Sequence, residues 1–162
     1  MQEQPRRCGR GPHELLKSLL DGPACEAPRL RSLLAGCSVS RLRCRRCGYE
    51  RLAGDFPNAP VMFTSLEVPV ERHGRSLTSV QECVNEYFAA ESVHVDLQCG
   101  CLENRDVERQ EMLSMHPQGL QIYLARGRTH NVEASLELHV QGHTSTLCSL
   151  VVYPGDGHTG HY

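Results

Sequence analysis

The stretch Arg43-Cys44-Arg45-Arg46-Cys47-Gly48 contains a Cys-x-x-Cys-Gly knuckle, the feature of this sequence that most constrains its fold. Two thiolates at this spacing can hold one Zn²⁺ from a tight turn, and the glycine tolerates the backbone conformation that the turn needs. A tetrahedral site requires two more ligands, and Cys99-Gly100-Cys101 is the obvious second pair. The sequence therefore predicts a structural zinc site formed by Cys44, Cys47, Cys99 and Cys101.

The second cysteine pair follows an alternating segment. Val93, Val95 and Leu97 alternate with polar residues, which predicts a strand that leads to Cys99. The Cys-x-Cys spacing is shorter than that of the usual second knuckle, so either four ligands converge or one of them is displaced. The alternative to a metal site is four reduced cysteines at strand ends. The arginines around the first knuckle favour metal binding, because they stabilise thiolates electrostatically.

Length and composition exclude several classes of protein. The chain of 162 residues suits one domain or a large piece of one, and its formal charge of −2 gives no general attraction to nucleic acid or membranes. No apolar run approaches the ~20 residues of a membrane span, and residues 1–11 lack the apolar stretch of a signal peptide. Nine cysteines without an export signal indicate a reducing, intracellular location, in the cytoplasm or the nucleus.

The hydrophobic pattern predicts two early helices and one central helix among many strands, which is an α+β fold. The central helix is predicted to begin at a capping box formed by Thr78 and Gln81. Its core face should consist of Val80, Cys83, Val84, Tyr87 and Phe88. Its solvent face should consist of Gln81, Glu82, Asn85 and Glu86. Strands are predicted for residues 66–70, 120–124, 136–140 and 147–153.

Several stretches of the chain match one family pattern in the same order. They are Pro12-His13-Glu14-Leu15-Leu16 with Leu19-Leu20-Asp21, the two cysteine pairs, residues 77–91, residues 116–126, Leu136-Glu137-Leu138, and residues 151–162, which end in Gly160-His161-Tyr162. With these motifs the chain resembles the ubiquitin-specific proteases. It departs from the family pattern at His116, Ala125, Gly127, Tyr153 and Pro154.

The resemblance implies a papain-like fold with zinc-ribbon fingers and a β-rich palm. Residues 12–40 would form a helical segment, residues 41–101 the fingers with the cysteine knuckles, and residues 102–162 the palm strands that end at the histidine box. The whole chain would be a partial catalytic domain, without the N-terminal thumb that carries the catalytic cysteine.

The resemblance also implies a function. Members of this family are cysteine-type deubiquitinases, which cleave the isopeptide bond after the C-terminal glycine of ubiquitin. His161 would be the general base that activates the thiol, and the partners would be ubiquitin and ubiquitinated proteins, with no nucleic acid and no membrane. The family's nucleophile lies in an Asn-x-Cys box, and the chain offers only Cys8 near that point, outside any such box. The chain alone is therefore expected to be inactive.

Two other functions remain open. A catalytically inactive relative that binds ubiquitin would explain the departures at Ala125, Gly127 and Tyr153. A zinc-ribbon module that binds nucleic acid would explain the arginines around the first knuckle. Against the second reading, Tyr49 alone among aromatic residues accompanies those arginines, and the overall charge is slightly acidic.

Overall fold

The computed structural model of the chain describes residues 28–53, 60–101, 106–125 and 131–150. The helices of this part are α1 (Pro28–Leu34) and α2 (Val80–Tyr87). Its strands are β1 (Gly36–Cys44), β2 (Glu50–Ala53), β3 (Val61–Phe63), β4 (Leu66–Pro69), β5 (Glu71–Arg72), β6 (Arg75–Ser76), β7 (Glu91–His94), β8 (Asp106–Met115), β9 (Ile122–Ala125), β10 (Glu137–Val140) and β11 (His143–Thr146). The fold is therefore mixed, with more strand than helix. The helix predicted around Leu15 to Leu20 lies outside the described residues.

The largest sheet is built on the two long strands β1 and β8. They pair antiparallel along their whole length, β2 and β3 pair with the free side of β1, and β7 pairs with the first half of β8. Gly36 at the start of β1 allows close packing, because a Cβ there would lie 2.4 Å from Cζ of Phe63. Since β1 begins at Gly36, strand structure starts inside the segment 12–40, which was predicted to be helical.

The main hydrophobic core lies between α2, β4, β9 and β10. Its buried side chains are Leu66, Val68, Val70, Leu77, Cys83, Val84, Phe88 and Val140. The alternation of β4 places Leu66 and Val68 in this core, and Pro69 is tolerated because β4 pairs only with β9 in the described part of the chain. The core therefore joins residues that the sequence assigned to the fingers with residues assigned to the palm.

The core face of α2 is confirmed, whereas its predicted cap is wrong by one position. Cys83, Val84 and Phe88 are buried, and the two other predicted residues pack against them. The N-cap is Ser79, whose hydroxyl accepts a hydrogen bond from the backbone N–H of Glu82, and the Glu82 carboxylate accepts one from the Thr78 N–H at 2.7 Å. This last bond is the main cause of the lowered pKa of Glu82. The ionised carboxylate thus supports the start of the helix.

Two glutamine amides attach the β10–β11 hairpin to the rest of the fold. Gln81 donates to the carbonyl oxygen of His139 and accepts from its N–H, both at 2.8 Å. Gln141 accepts from the N–H of Leu113 at 2.8 Å and donates to the carbonyl of Glu111 at 3.1 Å. Each amide satisfies backbone groups at a strand edge. Gln81 lies at the exposed side of α2 as predicted, and its side chain in addition holds β10.

A second, smaller core lies at the far end of β1 and β8. Its buried side chains are Cys44, Leu97 and Val107, with four partly buried residues around them, Leu42, Val93, Cys99 and Cys101. So few apolar side chains supply little burial energy on their own. This end of the sheet therefore depends on interactions other than apolar burial. The cysteines Cys44, Cys99 and Cys101 lie in this small core and could supply them.

Two predicted strands differ in the structure. The strand before the second cysteine pair ends at His94, so Val95 to Gln98 lead to Cys99 as irregular backbone. Residues 147–150 form no strand and expose Leu147 and Leu150, while residues 151–153 lie outside the described part. Neither helix in the described residues is long and apolar enough to cross a membrane.

Candidate metal centre

The first cysteine pair lies in a tight turn that closes β1. Cys44 is the last residue of β1 and is fully buried, whereas Cys47 is exposed in the turn. The N–H of Gly48 donates to the carbonyl of Cys44, and the N–H of Cys44 donates to the carbonyl of Tyr49, both at 2.9 Å. Gly48 adopts a φ of 73°, the left-handed conformation that glycine adopts without strain. The predicted role of this glycine is confirmed.

The second cysteine pair is positioned by a short irregular segment after β7. Leu97 is buried at 1% exposure and fixes the segment against Val107 in the small core. Gln98 adopts a φ of 45° and donates its N–H to the Asp96 carboxylate at 3.0 Å. This turn redirects the chain, so the sulfurs of both Cys99 and Cys101 can face the first pair.

The four cysteine sulfurs converge. All four Sγ atoms lie within 4.8 Å of one another, where a zinc tetrahedron with ~2.3 Å bonds needs about 3.8 Å between sulfurs. The predicted convergence of the four sulfurs is confirmed, although they are spread over up to 4.8 Å rather than ~4 Å, and the shorter Cys-x-Cys spacing leaves both of its sulfurs in the cluster. Four thiolate donors in this arrangement fit a closed structural site, so the cluster could bind a metal ion such as zinc.

The protonation of the cluster differs from one thiol to the next. The backbone N–H of Cys47, with that of Arg46, lowers the pKa of Cys44 to about 6 and outweighs the effect of burial. The hydrogen bond to the Cys47 sulfur, together with burial, raises the pKa of Cys101 to about 12. The pKa of Cys99 is also raised: the Cys101 N–H lowers it, but burial and the neighbouring sulfurs outweigh that effect. Four thiolates so close together would repel one another, which is why some of these thiols hold their protons. A divalent cation would offset this repulsion, and the protons shared among the sulfurs would be released when it binds.

The arginines near the knuckle are mostly engaged with carboxylates. Arg45 lies 3.7 Å from Asp106 and 3.4 Å from Glu108, and Arg43 lies 3.6 Å from Glu50. These pairs are exposed and contribute little to stability. They do, however, neutralise much of the positive charge of the arginines around the knuckle. These arginines therefore form a solvated rim around the cysteine cluster.

The other predicted site residues lie outside the described part of the chain. This applies to His161 and to Cys8, so the catalytic geometry stays a prediction. Val107 was not identified from the sequence. This residue is fully buried on β8, directly opposite Cys44 on β1, and packs beside the cluster. The signal was weak, because Val107 stands alone among the polar residues that begin β8.

Comparison with known proteins finds solved structures with a similar fold but no relative that is similar in sequence. No protein-family model matches the chain, and no curated protein matches it. Among solved structures it is similar to a chain of the yeast SAGA DUBm with an Sgf73 mutant, at 17% identity and a TM-score of 0.59 over 94% of this chain and 36% of that one. It is also similar to a chain of the SAGA DUB module Ubp8/Sgf11/Sus1/Sgf73 bound to monoubiquitin, at 17% identity and a TM-score of 0.56 over 78% of this chain and 30% of that one.

This likeness supports a fold related to that of the ubiquitin-specific proteases, in a region that includes a zinc-finger-like cysteine cluster. The chain spans about a third of the length of the chains that it matches. At 17% identity the likeness concerns the fold alone.

Proposed function

We propose that the chain is the fingers and part of the palm of a cysteine-type deubiquitinase, and that it holds ubiquitin through a zinc-stabilised finger. The observation that carries this proposal is the convergence of Cys44, Cys47, Cys99 and Cys101 at one end of a sheet with a related fold. The fingers would begin with β1 and β2 and end with the second cysteine pair. The palm would comprise the strands that follow.

Two exposed apolar side chains lie on the finger, just after the turn that carries the first cysteine pair. Tyr49 and Leu52 are 47% and 42% exposed, although both lie in or next to β2. Tyrosine is enriched among the residues that supply most of the binding energy in protein interfaces, whereas leucine is not. Tyr49 and Leu52 are three positions apart and so project from opposite faces of the extended chain. We assign the contact with ubiquitin to Tyr49, which we call the finger patch.

His161 is the proposed general base of the whole enzyme. A neutral imidazole can take the proton of a cysteine thiol and later protonate the leaving lysine amine. The support is the Gly160-His161-Tyr162 motif, together with the fold that precedes it.

A catalytically inactive relative that binds ubiquitin is the second candidate. The departures at Ala125 and Tyr153 from the family pattern favour it. Both candidates bind ubiquitin, and they differ in chemistry. Ubiquitin with a thiol-reactive C-terminus should label a longer chain that carries an Asn-x-Cys box, and labelling should depend on His161 only if the protein is an enzyme. A covalent adduct on Cys8 would instead make the present chain an enzyme.

Ubiquitin binding through the finger patch is the direct test of the proposal. Fluorescence anisotropy of labelled ubiquitin should show saturable binding to the zinc-loaded chain. Tyr49→Ala should raise Kd at least about fivefold, because truncating a central interface residue costs more than about 1 kcal/mol.

The matched control is Leu136→Ala, which removes a leucine that is 75% exposed but lies far along the chain from the finger. Its Kd should stay within about twofold of that of the unmodified chain. Absence of saturable binding by the zinc-loaded chain would contradict the proposal. Equal loss of affinity in Leu136→Ala and Tyr49→Ala would mean that the finger patch does not contact ubiquitin.

A further inference from the structure

A row of three sulfur-bearing side chains crosses the large sheet at the end of β1 away from the cysteine cluster. Cys37 on β1 is directly opposite Met62 on β3 on one side and directly opposite Met115 on β8 on the other. Directly opposed residues of antiparallel strands project from the same face, with Cβ atoms about 4.5–5.5 Å apart. One thiol and two thioethers are therefore neighbours on one face.

This face points away from the main core. Gly36 and Ser38, the neighbours of Cys37 along β1, belong to the opposite face, where Gly36 packs under the ring of Phe63 and Ser38 is buried. Phe63 in turn packs against the main core. Because successive strand residues alternate between faces, the Cys37 side chain lies on the outer face.

The row is open to solvent. Met62 is 71% exposed and Met115 is 46% exposed, while Cys37 between them is half-buried and forms no disulfide. The two thioether side chains are long and flexible, so both can fold over the central thiol. A register shift in β8 next to this row leaves Ser114 as an extra residue, and such bulges redirect the neighbouring side chains.

We propose that Cys37, Met62 and Met115 form a binding site for Cu(I). Thiolate and thioether sulfur are soft ligands that select ions such as Cu(I) over magnesium and calcium. One thiolate and two neutral thioethers give a single negative charge, which a monovalent cation neutralises. Binding changes no oxidation state: three sulfur–copper bonds form, Cu(I) releases the ligands with which it arrived, and the thiol proton of Cys37 passes to solvent.

The site is separate from the four-cysteine centre. Both lie on β1, but from position 37 to position 44 the strand extends roughly 24 Å at about 3.4 Å per residue. No ligand is shared between them. The two centres also differ in donor charge, since four thiolates suit a divalent ion and one thiolate suits a monovalent ion.

The test uses the full chain, loaded with one equivalent of zinc and labelled with ¹³C at the methionine methyl groups. Cu(I) is added without oxygen as its acetonitrile complex. The methyl signals of Met62 and Met115 should shift and saturate at one equivalent, before zinc is released. In competition with a chromogenic Cu(I) chelator, Cys37→Ser, Met62→Leu and Met115→Leu should each weaken binding at least about tenfold.

Met112→Leu is the matched control, because Met112 lies on the same strand opposite Val39 and outside the row. It should leave the affinity unchanged. Dispersed amide spectra establish that each variant is folded. The proposal is overturned if the Met62 and Met115 signals stay fixed until zinc is displaced, or if Cys37→Ser binds Cu(I) as tightly as the unmodified chain.

Discussion

Replacing Cys44 by serine should abolish zinc binding and open the finger end of the large sheet, while the main core stays folded. Cys44 is a fully buried member of both the cluster and the small core, where the described residues add Leu97 and Val107 as further buried side chains. Structural zinc supplies about 10–16 kcal/mol of apparent binding free energy in zinc-finger peptides, far more than so few apolar contacts can give. We therefore expect the finger to lose its order when the metal is lost.

Amide hydrogen exchange measures this effect locally. Protection of amides at the end of β1, in β7 and in the first half of β8 should fall at least about 100-fold, equivalent to about 2.7 kcal/mol. Protection in α2 should change little, because α2 belongs to the main core. Cys148→Ser is the matched control, since Cys148 is an exposed cysteine outside the cluster. A Cys44→Ser chain that kept both its zinc and its protection would refute the assigned site.

Truncating Phe88 to alanine should lower the free energy of unfolding of the main core by about 3–5 kcal/mol. Phe88 caps the C-terminus of α2, is only 7% exposed, and packs edge-to-face on Tyr87 with ring centroids 4.9 Å apart. The loss combines the transfer of the ring to water, the cavity left behind and the missing ring contact.

Denaturant unfolding at constant zinc concentration measures this loss. Val61→Ala on β3 is the control, because Val61 is 65% exposed and its truncation should cost less than about 0.5 kcal/mol. A loss below 1 kcal/mol for Phe88→Ala would mean that the core around α2 is not closed as described.

The cysteine site could be predicted because its chemistry is local. The Cys-x-x-Cys-Gly turn specifies two ligands and a left-handed glycine, and the demand for four ligands identifies Cys99 and Cys101 as the remaining pair. The core face of α2 could be predicted for a similar reason, because helical periodicity alone selects Cys83, Val84 and Phe88.

The remaining features depend on tertiary contacts that no local pattern encodes. The amide of Gln81 satisfies backbone groups of His139, which is distant in sequence, so helical periodicity could place Gln81 on the solvent side but could not indicate this contact. The cap of α2 is a local exception: Thr78 and Ser79 are both suited to the N-cap position, and Ser79 with Glu82 has the Ser-x-x-Glu spacing of a capping box. Residues 147–150 are mostly apolar, yet they form no strand, and Leu147 extends the β10–β11 hairpin by a single backbone hydrogen bond to Leu136.

X-ray absorption at the zinc K-edge on the purified chain tests the central claim most directly. One zinc ion per chain should be surrounded by four sulfur atoms at ~2.3 Å, the shell that Cys44, Cys47, Cys99 and Cys101 would provide. Absence of zinc, or a first shell made mainly of nitrogen and oxygen atoms, would contradict the account.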